Sequence, residues 1–172
     1  MLRMLARALT VGLLFGATAT SGAFAQGVPA GVRVDRVVVH KLRHELQLWS
    51  QGTLVKAYWV ALGPSPVGHK HRQGDGRTPE GDYVIDGRNP KSLYHLSLHV
   101  SYPNAEDRRR AAAEHVSPGG DIMIHGVPHG YESIPAGQKV HDWTAGCMAV
   151  TNSEIEEIWR AVPDGTPIHI EP

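Results

Sequence analysis

HDWTAGCMAVTNSEIEEIW, residues 141 to 159, holds Cys147, the single cysteine of a 172-residue chain. The pattern of the stretch changes at that residue. Up to Cys147 it is polar and carries a glycine, whereas Thr151-Asn152-Ser153-Glu154 fits a capping box, and Ile155, Ile158, Trp159 and Val162 follow at helical spacing. A helix is therefore expected to start just past the cysteine and to end at Pro163-Asp164-Gly165. A closing strand over Pro167-Ile168-His169-Ile170 is expected to follow it.

Upstream the chain reads as mostly β. Val34 to Val39, Glu45 to Trp49 and Thr53 to Val60 are β-rich runs, the last two joined by a turn at Gln51-Gly52. GPSPVGHKHRQGDGRTPEG, from Gly63 to Gly81, has almost no apolar content and must run over the surface as a long loop. Strand-like Asp82 to Ile85 and Leu93 to Leu98 come next, then AEDRRRAAAEH from Ala105 as an exposed helix whose basic run is a solvated face. Asp121-Ile122-Met123-Ile124-His125-Gly126 is a short apolar strand that delivers a histidine and a glycine at its end. The fold class expected is mainly β with a few helices, in one domain, without repeats or low-complexity segments.

The N-terminus points to export. Arg3 and Arg7 precede a short apolar run, and Ala23-Phe24-Ala25 before Gln26 fits a small-x-small cleavage site. Residues 1 to 25 are expected to be a signal peptide, residues 26 to 33 a short N-terminal segment, and residues 34 to 172 the functional domain. An uncleaved anchor is the alternative, disfavoured because the apolar run is shorter than the ~20 residues that span a bilayer. The full chain has zero formal charge, and removal of the two arginines with residues 1 to 25 leaves −2. Such a charge offers nothing to nucleic acid. The mature chain is expected in the periplasm with no membrane span, and nothing in it asks for more than a monomer.

In an oxidising compartment an odd cysteine is buried and inert, bound to a partner, or used as a nucleophile. A thiol attacks as its thiolate, and a nearby histidine assists ionisation and later protonates a leaving amine. His125 lies 22 residues before Cys147, near enough for the chain between to return as a loop. Gly146 permits a tight bend, and the amides around Cys147 point to an oxyanion site. These are the parts of a Cys-His acyl transferase.

IMIHG (Ile122 to Gly126) and TAGCMAV (Thr144 to Val150), with GDGRTPEGDY (Gly74 to Tyr83) upstream, resemble the L,D-transpeptidase catalytic domain, or YkuD, family over roughly residues 34 to 171. The resemblance implies a β-sandwich with a capping loop and helix subdomain. It also implies action on peptidoglycan stem peptides, through a thioester formed at the bond between diaminopimelate and D-alanine, with transfer to an amine acceptor. Cys147 would be the nucleophile, His125 the base and acid, Gly126 the backbone group that orients the histidine, and the Gly146 and Cys147 amides the oxyanion hole. Thr144, His141, Arg77, His129 and Tyr83 are candidates for substrate contact; packing is the plain alternative for Tyr83, and loop polarity for His129 and His141. His69, Lys70, His71 and Arg72 could join Arg77 in receiving carboxylates, while Trp143 packs or walls the thiol from water. No cofactor or metal is expected.

Family members usually read Ser-His-Gly-Cys-Ile-Arg where this chain has Thr144-Ala145-Gly146-Cys147-Met148-Ala149. The second histidine and the arginine, whose fork suits a carboxylate, are both absent. Asp142 to Cys147 is closer to a proteobacterial subgroup with an Asp-Trp-Thr-x-Gly-Cys motif. One branch near that subgroup releases a wall-tethered lipoprotein by hydrolysis, so an outer-membrane lipoprotein acceptor, lipoprotein release and D-alanine release all stay open. Two other classes compete. Eleven histidines could serve zinc, but His125-Gly-Val-Pro-His129 cannot be a helical His-Glu-x-x-His site because of its glycine and proline. Loss of chemistry at Ala145 and Ala149 would leave a peptidoglycan-binding module.

Overall fold

A computed structural model describes residues 27–131 and 141–172. The signal-peptide reading of residues 1 to 25 lies outside the described residues. The elements run β1 (Arg36–His40), a 3-10 turn (Lys41–Arg43), β2 (Glu45–Ser50), β3 (Thr53–Trp59), β4 (Gly81–Ser92), β5 (His95–Val100), α1 (Ala105–Ala113), β6 (Met123–His125), β7 (Met148–Ala149), α2 (Asn152–Ala161) and β8 (Pro167–Glu171). Among the described residues no helix is long and apolar enough to cross a membrane.

Eight strands form one sheet in the order β3-β2-β1-β8-β4-β5-β6-β7. Strand β4 joins the two halves: Gly81 to Val84 pair with β8, and Ile85 to Ser92 pair with β5 across two register shifts. Those shifts explain why the sequence pattern stops short at Ile85. Gly87 to Ser92 contains a glycine and a proline that break alternation, yet a strand accepts both at a bulge. The expected strand start at Leu93 is corrected to His95, because the Ser92 hydroxyl accepts the Tyr94 N–H at 3.1 Å and turns the chain there.

The sheet curls until its edges meet. Ala61, two residues past β3, forms an antiparallel bridge to Ala149 of β7, with each N–H donating to the other's carbonyl at 2.9 Å. One hydrophobic cluster fills the space inside, drawing Val37 and Val39 from β1, Leu46 and Leu48 from β2, Leu98 from β5 and Ile124 from β6. Helix α2 adds Ile155 and Ile158 to it. That helix begins as its sequence requires: the Thr151 hydroxyl accepts the Glu154 N–H, and the Glu154 carboxylate accepts the Thr151 N–H.

Loop 63–80 lies over the sheet and is nailed down by a buried cation. Lys41 is 0% exposed, and its Nζ donates to Glu80 Oε1 at 2.8 Å, to the Gly68 carbonyl at 2.6 Å and to the Thr78 carbonyl at 3.0 Å. Burial pulls its pKa down, and the Glu80 carboxylate opposes that pull. Helix α1 closes over the same region, with the Tyr83 hydroxyl donating to Asp107 Oδ2 at 3.0 Å. Replacing Lys41 by methionine takes the donor from a partly buried carboxylate and two carbonyls. We expect Lys41→Met to cost about 3–5 kcal/mol, read as a lower urea midpoint with an unchanged slope.

Candidate active site

Strand pairing sets Cys147 and His125 on neighbouring segments. In the parallel pair of β6 and β7, Ile124 lies opposite Met148 and His125 opposite Ala149, so Cys147 sits one step earlier, beside Met123. Side chains alternate along a strand, so by register Cys147 and His125 project from the same face of two adjacent segments. The backbone of Met123 hydrogen-bonds the sulfur, and the thiol itself donates to the Asp121 carbonyl at 3.4 Å.

The cysteine loop admits no side chain at Gly146. Its φ is +126°, and a Cβ there would lie 2.4 Å from the Arg77 carbonyl oxygen. The Thr78 hydroxyl donates to the Gly146 carbonyl at 2.9 Å, so loop 63–80 grips the residue before Cys147. Thr144 ties the loop internally, donating through Oγ1 to the Cys147 carbonyl at 2.8 Å and accepting the Gly146 N–H at 3.1 Å. The Gly146 amide is thereby engaged at rest. Asp142 anchors the entry: Oδ1 accepts the Leu62 N–H at 2.8 Å, and His44 Nε2 lies 3.0 Å from Oδ2, with its ring stacked on Trp59. The Leu62 carbonyl takes the Thr144 N–H at 3.0 Å in return.

His125 is buried and held in one orientation. Its Nδ1 lies 2.7 Å from the Gly126 carbonyl, which fixes the proton on Nδ1 and leaves Nε2 as the ring's lone-pair nitrogen. Gly126 is itself confined, since a Cβ would meet Asn152 Oδ1 at 2.4 Å. Tyr94 and Trp143 flank the imidazole, with ring centroids at 4.5 and 5.7 Å. Burial pushes the His125 pKa down, the hydrogen bond to Gly126 opposing it. Burial pushes the Cys147 thiol up, and Asp121 adds to that rise, while the Met123 backbone and Lys70 oppose it. Both shifts favour a neutral thiol beside a neutral imidazole at rest.

The other candidates from the sequence fall into two sets. Thr144 joins Cys147, His125, Gly126 and Gly146 at the site. Arg77 reaches it through its carbonyl, while its Nη1 donates to the His69 carbonyl at 3.4 Å. Tyr83 is buried against α1, and His69 is held by the Glu80 backbone with Nε2 3.1 Å from Asp107, so neither faces solvent as a carboxylate receptor. His129 and His141 are exposed, and Arg72 is also open to solvent. Trp143 is 37% exposed at the rim. Ala149 is fully buried in its bridge to Ala61. Among the described residues, no three His, Cys, Asp or Glu side chains cluster as metal ligands would. Sequence reasoning missed Tyr94, His44 and the buried Ser97, whose hydroxyl lies opposite His125 on β5 without a hydrogen-bond partner. None had a motif around it, and only strand register places them.

Fold and site define a β-rich domain that presents a cysteine and a histidine from neighbouring strands, beneath a loop pinned by buried charges. Residues 34–170 match the YkuD family, L,D-transpeptidase catalytic domain, and the chain belongs to that family. It is 30% identical over 119 residues to YafK of Escherichia coli (strain K12), a protein named provisionally as an L,D-transpeptidase, covering 68% of this chain and 41% of that one. The helical cell shape determining protein Pgp2 from Campylobacter jejuni superposes with a TM-score of 0.62 at 24% identity, covering 87% of this chain and 52% of the other. Bd1075 from Bdellovibrio bacteriovorus gives 0.57 at 25% identity, with 84% and 50% covered. An L,D-transpeptidase from Mycobacterium smegmatis shares the fold, with a TM-score of 0.54, at 14% identity over 83% of this chain and 60% of that one. The chain thus spans less than half of YafK and about half of Pgp2 and Bd1075.

Gly146→Ala is expected to leave the protein folded but to displace the sulfur. Its alkylation by iodoacetamide at neutral pH should change by more than about tenfold, since strain of ~1–3 kcal/mol falls on the residue next to the thiol. An unchanged alkylation rate would show that the Arg77 contact does not hold the loop.

Proposed function

We propose that this chain is a periplasmic cysteine acyltransferase acting on peptidoglycan stem peptides. The observation that carries the reading is the placement of Cys147 and His125 on one face of two paired strands, with Nδ1 of the histidine fixed by Gly126. Membership of the L,D-transpeptidase family supports the reaction class, and the printed role of Pgp2 in helical cell shape supports a wall substrate.

The chemistry follows from a neutral pair. His125 Nε2 takes the proton from Cys147 Sγ as the sulfur attacks the carbonyl of the diaminopimelate residue, and the negative charge passes to the carbonyl oxygen. The Cys147 amide meets that oxygen, because the Gly146 amide is already donated to Thr144. Collapse breaks the bond to D-alanine, the imidazolium gives its proton to the leaving amine, and a thioester remains on Cys147. An acceptor amine then attacks the thioester, with His125 removing its proton, and the thiol is restored. Water as acceptor gives hydrolysis by the same steps. Tyr94 and Trp143 beside the imidazole keep the pair in an apolar setting, in which the transferred charge interacts strongly with its surroundings.

A releasing or hydrolytic direction is the second reading, and one observation favours it. Position 149 is a fully buried alanine locked to Ala61, and Ala145 is a small exposed residue, so neither supplies a fork for an acceptor's carboxylate.

The test is mass spectrometry of disaccharide-tetrapeptide and of isolated sacculi after incubation with the mature protein. Cysteine-dependent loss of D-alanine with cross-linked dimers is the expected result. Tripeptide alone assigns a carboxypeptidase, and release of a tethered protein assigns the reverse direction. Unchanged substrates in both arms would leave a wall-binding module. Cys147→Ala and His125→Ala should each lower kcat/KM at least about a thousandfold, with the double variant scarcely worse, because the pair acts as a unit. The acid limb of kcat/KM should lie below the ordinary histidine value of about 6.5, since burial keeps His125 neutral to lower pH.

A further inference from the structure

Lys70 is a buried cation to which acyl transfer as described above gives no task. It is 3% exposed, and its Nζ donates to Asp75 Oδ1 at 2.8 Å and to the Arg72 carbonyl at 3.2 Å, which leaves one of its three N–H groups over. Asp75 also accepts the backbone N–H groups of His71, Arg72 and Arg77. Burial alone would raise that carboxyl, but the Lys70 ammonium and the three N–H groups prevail and hold it at about 2. Asp75 is therefore a carboxylate at any physiological pH, and Lys70 keeps its partner. A buried ion pair is weak evidence for stability, because desolvation offsets much of the attraction. Its position suggests another use.

The pair borders the nucleophile on two sides. On one, the stem of Lys70 runs beside Gly119, where a Cβ would stand 3.6 Å from Lys70 Cε; two residues on, the Asp121 carbonyl accepts the Cys147 thiol. On the other, Arg77, whose N–H is held by Asp75, sets its carbonyl against Gly146. The charged and titratable groups around the sulfur are thus His125 from β6, Asp121 from the segment before β6, and Lys70 from the long loop.

We propose that Lys70 is a positioning residue for Cys147: held by Asp75, its ammonium favours the thiolate and fixes the backbone segments on either side of the sulfur. This rests on Cys147 being the nucleophile. Of the two charges that act on the sulfur, Asp121 opposes ionisation and Lys70 favours it. In a site without the usual second histidine and arginine, Lys70 is a fixed cation that offsets part of the cost that burial puts on forming the thiolate.

The experiment measures the rate of Cys147 alkylation by iodoacetamide from about pH 6 to pH 10. It compares the mature protein with Lys70→Met, Lys70→Arg and the double variant Lys70→Met/Asp75→Asn. Lys70→Met should move the profile to higher pH and slow alkylation at neutral pH by about threefold to tenfold, as a shift of half to one pH unit requires. Lys70→Arg keeps the charge and should bring the profile back toward that of the unmodified protein. The double variant leaves no unpaired carboxylate behind, so it carries the test if Lys70→Met does not fold; it too should shift upward. An unmoved profile in either folded variant overturns the proposal. Iodoacetamide needs no peptidoglycan, so a shifted profile in a protein that leaves stem peptides untouched upholds Lys70 and sinks acyl transfer. Stem-peptide turnover with an unmoved profile does the reverse.

Discussion

Two residues of parallel strand, Met148 and Ala149, hold the molecule's two sheet edges together. On one side they pair with β6, and on the other Ala149 bridges Ala61 just beyond β3. The same two residues fix the position of Cys147, which immediately precedes them, against Met123 and hence against His125. Closure of the fold and placement of Cys147 are therefore one event. A strand of two residues cannot hold such a position by its own hydrogen bonds, and the surroundings make up the difference. Met148, Ala149 and Val150 are all buried, and Leu62 clamps the entry through Asp142 and Thr144.

The loop from Gly63 to Gly81 is polar, yet it is built like an interior. Lys41 and Lys70, both buried, each bond a carboxylate of this loop, with two of its backbone carbonyls on Lys41 and one on Lys70, and Asp75 gathers three backbone N–H groups. Buried charges satisfied in this way specify a conformation more than they add stability, because any other arrangement would strand a charge away from water. The result is a rigid turn whose Arg77 carbonyl and Thr78 hydroxyl meet Gly146. A loop that composition alone marks as surface polarity thus becomes one wall of the site.

Burial makes the thiol harder to ionise and the imidazole harder to protonate. A thiolate would be open to attack by any passing oxidant or electrophile, whereas a neutral thiol is a poor target for either. Its Sγ–H on the Asp121 carbonyl and the Nδ1 contact to Gly126 both belong to the neutral state.

Much of this was legible in residues. The capping box at Thr151, the apolar period of α2, the alternation in β2 and β3 and the turn at Gln51-Gly52 each depend on neighbours in the chain, and each element lies where its pattern puts it. The family, too, was legible, and its match spans residues 34–170. The second half of β4, strand β7 and the turn at Tyr94 were not legible, because bulges and two-residue strands exist only through their partners. Nor did the sequence say that Tyr83 would turn inward to Asp107, that His44 would hold Asp142, or that Lys70 would be buried with Asp75 beside the thiol. By itself the sequence determined the local elements and the kinds of reactive group, since propensity, capping and periodicity act over a few residues. Only the tertiary structure decided which of those groups meet, since strand register and the pairing of buried charges join residues tens of positions apart.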